Sequence, residues 1–280
     1  MGNQARLKQE RRAARAEGKP AAVEAAKRRG AEAEQGAAEG MRRGCLFCRQ
    51  SDGGFTSVEH VFPESLGNKE VILPVGVVCD RCNHQVLSPL DAALCDFGPI
   101  AMMRTIYGVE SKSGKRPSFK FDNGSLHSDR PGNVQLSLDS EKWHKTGLPA
   151  PPGHTSFSFT GMRHDATPRR LSKLHRALTK IALECAWLDL DEESVLSGEF
   201  DRERRIVLGG GHHGYLILAK QSIPEERQVT FTPVFARRDE DGEPYLGIAA
   251  NILGVLMATD TLKERPAEDV PEDVASVHYF

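Results

Sequence analysis

No stretch of this 280-residue chain approaches the ~20 consecutive apolar residues that a membrane-spanning helix needs. Residues 1–40 are mostly Ala, Glu, Lys and Arg and lack the apolar centre of a secretory signal, so export is not expected. Cysteine is scarce. Six residues are too few to staple a chain of this length, which argues against a disulfide scaffold and for a reducing, cytoplasmic setting. Charge of one sign is scarce as well: the formal net charge is -2, so bulk charge alone does not point to nucleic acid. What is left is a composition suited to a soluble protein, 39% apolar with a mean hydropathy of -0.43. The length allows one large domain or two ordinary ones.

The charge is unevenly spread. Residues 1–43 hold eleven Lys/Arg against six Glu, a basic arm that could follow phosphates. The same stretch has no apolar stripe to bury, so a solvated or partly helical leader is the preferred account. The composition divides the chain into a basic Ala-rich leader (1–40), a compact cysteine-bearing module (41–108), a loop-rich bridge containing a hairpin (109–154), an α+β C-terminal domain (155–263) and a loose acidic tail (264–280). In the module, residues 55–62 and 71–78 read as strands. A short helix opens at Asp80-Arg81-Cys82, is bent or restarted by Ser88-Pro89, and continues over 90–107 with a break at Gly98-Pro99. The bridge offers short strands at 118–121 and 134–138. Beyond it, residues 155–160 alternate as a strand should. Thr167-Pro168 then reads as an N-cap with proline at N1. Leu171, Leu174, Leu178, Ile181, Cys185 and Leu188 recur at helical spacing, predicting one long amphipathic helix. Further strands are expected at 205–208, 215–219, 228–235, 245–250 and 252–258.

The chemistry concentrates in the module. Cys45-Leu46-Phe47-Cys48 and Cys79-Asp80-Arg81-Cys82 flank a Glu59-His60 dipeptide, and Asn83 follows the last cysteine. Two such pairs suit four thiolates around one tetrahedral, structural zinc with bonds of ~2.3 Å. Cys95 and Cys185 lie in apolar helical settings and read as buried thiols. Neighbouring strand residues face opposite sides, so of Glu59 and His60 one could address a metal and the other a water. Asn83, near a helix N-terminus, adds an amide oxygen. A carboxylate and an amide oxygen suit Mg²⁺, which keeps several waters and completes its shell with phosphate. The order knuckle, two strands, knuckle, helix is the layout of a treble clef with a β-β-α metal core.

The run Cys45-x2-Cys48-x10-Glu59-His60-x18-Cys79-x2-Cys82-Asn83 resembles the HNH (ββα-metal) endonucleases, and is most similar to the zinc-containing branch typified by phage endonuclease VII. The resemblance covers about residues 44–95 and includes Glu59-His60-Val61-Phe62-Pro63-Glu64-Ser65-Leu66-Gly67-Asn68. It implies a metal-dependent hydrolase that cuts DNA phosphodiester bonds, with RNA left open as a substrate. By position, His60 would be the general base, since a histidine side chain ordinarily titrates near ~6.5 and can accept a proton from water. Glu59 and Asn83 would hold a catalytic Mg²⁺ or Mn²⁺, and the products would carry 5′-phosphate and 3′-hydroxyl ends. Glu59 is one methylene longer than the Asp often found there, and Asn83 replaces the final His of the motif. His84 would point roughly 100° further around the helix, toward the surface or a phosphate.

Other residues invite less. Arg49, Lys69 and Arg81 are candidate phosphate contacts, with solvated surface charge as the even alternative. Asn68 could orient the loop after His60 or be a simple turn residue. Asp91 is given no catalytic role, and His175 and Lys180 read as polar-face residues of the long helix. Gly209-Gly210-Gly211-His212-His213-Gly214 lacks the Lys-Ser/Thr of a P-loop and reads as a hairpin loop. The rival reading for the whole chain is a non-catalytic zinc module that binds nucleic acid or protein.

Overall fold

The computed structural model describes residues 44–111, 114–121, 124–130, 133–138, 167–190, 192–210, 214–219, 229–238, 244–261 and 274–279. The leader (1–40) and the strand expected at 155–160 lie outside them.

Pairing in the module is shorter than its apolar runs suggest. Only β1 (Glu59–His60) and β2 (Ile72–Leu73) form a ladder, antiparallel, with Glu59 opposite Leu73 and His60 opposite Ile72. Pro63, which has no N–H to give a ladder, ends the first run, and a 3-10 turn (Glu64–Leu66) closes on Gly67 at φ 95°. The Asn68 side chain then staples the loop: its Nδ2 donates to Phe62 O and Val71 O, both at 2.9 Å, and its Oδ1 accepts from Val71 N at 3.0 Å. Asn68 therefore orients the segment after His60.

Helix α1 (Asp80–Cys95) widens into a π turn over Asn83–Leu87. The widened turn ends two residues before Pro89 and accommodates its ring and missing donor, so the expected restart becomes one continuous helix. Helix α2 (Gly98–Ile106) leaves it at 68°. It packs on a three-stranded antiparallel meander of β3 (Ser118–Phe121), β4 (Gly124–Arg130) and β5 (Asn133–Leu138). The expected hairpin thus has a third, central strand. Within β4 Leu126 is the one buried apolar side chain, too little for a strand signal.

Helix α3 (Pro168–Asp189) starts as the sequence expects: Thr167 Oγ1 accepts from Arg170 N at 3.4 Å, and Pro168 follows. Its burial is different. Every residue from Ala177 to Ala186 is buried, which makes it a central helix and not a one-faced one. One side packs on α1, and the other on the sheet and on α5. Leu188, expected in the core, is 41% exposed, while His175 and Lys180, expected on a polar face, are buried. His175 Nδ1 meets Thr259 Oγ1 at 2.6 Å.

A short helix α4 (Glu192–Val195) and a 3-10 turn (Gly198–Phe200) lead to α5 (Asp201–Leu208). The strand expected at 205–208 is therefore the end of a helix. A brief apolar run cannot by itself tell the two apart. Gly209, at φ 86°, caps α5, so the glycine run follows a helix and is no hairpin loop; its residues 211–213 lie outside the described residues. Strands β6 (Tyr215–Ala219), β7 (Val229–Arg238), β8 (Pro244–Ile252), β9 (Val255–Asp260) and β10 (Val274–Tyr279) form an antiparallel sheet in the order β10-β6-β9-β8-β7. Strand β10 corrects the reading of the tail as loose: it pairs with β6, Val277 opposite Ile217.

One apolar cluster runs from Leu46 and Phe47 through Leu87 and Leu94 to Leu174, Leu178 and Ile181, and on to Ile248, Ile252 and Met257. The mixed α+β architecture holds, and within this cluster α3 gives apolar surface to both halves. Cys95 and Cys185 are buried as expected. Among the described residues no single helix is long and apolar enough to cross a membrane. With a shared core, Leu178→Ala should cost about 2–5 kcal/mol and shift one urea transition, with far-UV circular dichroism and Trp187 fluorescence moving together.

Candidate functional site

The first knuckle is a tight reversal. Gly44 has φ 95°, and a Cβ there would lie 2.4 Å from Arg49 O, so only glycine fits the closure. Cys45 N donates to Gln50 O at 2.9 Å and Arg49 N to Cys45 O at 2.8 Å, wrapping the chain around Cys45 and Cys48. The second knuckle is the start of α1. Cys79 Sγ accepts from Cys82 N at 3.4 Å, and Cys45 Sγ accepts from Cys79 N at 3.4 Å. Asp80 ties the approach to β1 onto that helix end, accepting from Ser57 N at 2.8 Å and from Thr56 N and Oγ1 at 3.0 Å. Burial opposes its charge, but the hydrogen bonds from Ser57 and Thr56 outweigh it and hold the carboxyl below its ordinary range.

The sulfurs of Cys45, Cys48, Cys79 and Cys82 all lie within 4.8 Å of one another. Cys48 Sγ and Cys79 Sγ are 3.7 Å apart, against about 3.8 Å for the edge of a tetrahedron built on ~2.3 Å zinc–sulfur bonds. A hydrogen bond from Cys82 brings the Cys45 thiol down to about 5, while burial pushes Cys79 up to about 11. One thiolate among crowded thiols is the electrostatic pattern that a soft cation resolves. The donor set fits a metal ion such as zinc. It is the one cluster of this kind among the described residues.

Beside it, β1 and α1 bring two expected ligands together. Asn83 Nδ2 donates to Glu59 Oε2 at 2.7 Å and reaches Val58 O at 3.4 Å. An amide and a carboxylate in contact are a pair of oxygen donors that one hard cation could share once the amide turns. Glu59 is buried, and its other oxygen, Oε1, pairs with Lys180 Nζ at 2.6 Å.

Lys180 is the residue that pattern reading missed. Its side chain is fully buried and meets Glu59, Asp91 Oδ1 at 2.9 Å, Glu184 Oε2 at 3.5 Å and the backbone His60 O at 3.1 Å. Burial would strip its proton, but Glu184, Asp91 and Glu59 outweigh that and raise it above the ordinary lysine value. One cation cannot balance three carboxylates. Burial raises Glu59 and Asp91 against the pull of Lys180, and raises Glu184 well above its ordinary value. Asp91 also feels the His60 imidazole, so it joins the site although the motif gave it no part. The available signal was a lysine and a glutamate four residues apart, both on a helix too apolar to leave them in water.

His60 is half-buried on β1. His84, in the π turn, is exposed and meets Ser57 Oγ at 3.3 Å through Nε2. The three candidate phosphate contacts part company. Lys69 is exposed, and Arg81 is exposed and bonded to Gln50 Oε1. Arg49 instead pairs with Asp201 at 3.1 Å and bonds Leu196 O, docking the first knuckle on the C-terminal half. Arg204 reinforces that contact, donating to Leu46 O at 2.8 Å.

Residues 45–96 match the family model of the HNH endonucleases. No curated protein and no solved structure matches the chain.

Metal analysis of the purified protein should find one zinc per chain, and Cys79→Ser should bring it well below one and lower the thermal midpoint. Lys180→Met leaves buried carboxylates without their cation and should cost roughly 3–5 kcal/mol in denaturant unfolding.

Proposed function

We propose that the protein is an HNH nuclease, a hydrolase that cuts DNA phosphodiester bonds, built on a four-cysteine zinc site of the endonuclease VII type. The observation that carries the reading is the 2.7 Å contact between Asn83 and Glu59, one residue from His60 and inside the segment that matches the HNH model. His60, half-buried on β1, takes the proton from the attacking water. A bound Mg²⁺ or Mn²⁺ supplies charge against the transition state and the leaving 3′ oxygen. Glu59 and Asn83 are the residues to hold it, one from the strand and one from the helix that the cysteines pin side by side. Zinc has the structural part alone, since four cysteines leave it no open position. Exposed Lys69 and Arg81 serve as phosphate contacts at the rim. Thiolate ligation of this kind suits the reducing cytoplasm.

A second reading, a non-catalytic zinc module for nucleic acid or protein, is favoured by one observation: both Glu59 oxygens already accept hydrogen bonds or ion pairs from within the chain. Plasmid cleavage separates the two. Wild type with Mg²⁺ or Mn²⁺ should nick supercoiled DNA, and His60→Ala should lose about 10²–10⁴-fold in rate. Equal nicking by both would remove His60 from the chemistry. No nicking with any metal, on DNA or on a parallel RNA substrate, would favour the binding module.

A further inference from the structure

A cleft of about 550 Å³ opens between the second half of α1 and the first turns of α3. Its two walls differ in kind. On α1, Pro89, Ala92, Ala93 and Asp96 line it, a spacing of three, four and seven residues that puts them on one helix face. Three of these four side chains are small and uncharged, so that wall is shallow and open. On α3 the lining residues are Arg169, Arg170 and Lys173. Lys173 is four residues from Arg169 and three from Arg170, so all three cations crowd one face, where like charges repel. Asp96 is the single carboxylate lining the cleft. Arg170 already reaches across toward it, donating to Asp96 O at 3.4 Å. Arg169 is exposed and Lys173 half-exposed.

We infer that this cleft is a backbone-binding groove for the DNA strand that occupies the nuclease site. The inference rests on the nuclease reading above and adds the surface that would hold the substrate away from the cut. The link is α1 itself: Asn83 stands at its start, and Ala92 lies nine residues further on. At 1.5 Å per residue that is about 14 Å along the helix. One strand of DNA carries a charge every ~3.4 Å of axis, a row of anions to which three neighbouring cations are matched. Repulsion among Arg169, Arg170 and Lys173 is relieved when a polyanion lies between them. A shallow wall of alanines makes room for a sugar–phosphate chain without reading its bases. Such contacts position a strand and carry no sequence information. The groove belongs to both halves of the chain, which gives α3 a role in substrate binding besides its role in the core.

The test is binding of a fluorescently labelled 20-base-pair DNA duplex to the full-length chain by anisotropy, across a range of NaCl concentrations. His60→Ala serves as the background, so that no substrate is cut. Adding Arg169→Gln and Lys173→Gln should weaken binding about tenfold and lower the slope of log K against log [salt] by about 2, one for each cation withdrawn from phosphate. Arg170 is left in place because it bonds Asp96 O. In the active protein the same two substitutions should raise KM and leave the loss out of kcat. Unchanged affinity and salt slope in the double variant overturn the groove while the nuclease reading stands. Salt-dependent binding that falls as expected, in a protein that cuts nothing, supports the groove and sinks the nuclease reading instead.

Discussion

A lysine ammonium with no access to water sets the terms for this molecule. Lys180 reaches from the central helix into the module and meets Glu59, Asp91, Glu184 and the His60 carbonyl. Charges buried without water are tolerated when paired and hydrogen-bonded, so the strand that carries Glu59 and His60 and the helix that carries Asp91 must sit where Lys180 can reach them. The apolar cluster and the arginine clamps at the first knuckle hold the same arrangement from either side. Arg204 bonds the Leu46 carbonyl and Arg49 pairs with Asp201.

Two side-chain clusters therefore divide the work. The cysteine cluster brings the start of α1 against β1, which decides that Asn83 and Glu59 touch. The lysine cluster decides which way Glu59 faces: one oxygen is held by Lys180 and the other turns to Asn83. Ligating carboxylates are commonly held by such a second hydrogen bond. Here it comes from a helix 120 residues away from His60 in sequence. The cysteine-bearing module thus depends on the C-terminal half for its internal electrostatics as well as for its packing.

Much of the module was legible in the sequence because its information is local. Cysteine pairs with two residues between them, a proline after a strand and an Asn after the last cysteine each impose geometry on their neighbours. Thr167-Pro168 likewise marked the start of α3 correctly. The misreadings share a cause. Residues 205–208 have an apolar run too short to carry a period, β4 is mostly polar, and β10 follows an acidic, proline-bearing stretch. In the two strands pairing outweighed local composition: β4 is completed by its sequence neighbours β3 and β5, and β10 by the distant β6.

Local spacing pointed to four sulfurs that meet and to an acid and an amide that touch beside them, because knuckle and helix geometry act over a few residues. It also settled that a long helix would follow Thr167. Tertiary structure alone decided that this helix is buried on all sides from Ala177 to Ala186, that Lys180 faces Glu59 and Asp91, and that Arg169, Arg170 and Lys173 face α1. Burial of a polar side chain and the choice of its partner depend on what packs against it. Those contacts are made across 74 to 120 residues of chain, beyond the reach of any repeat in the sequence.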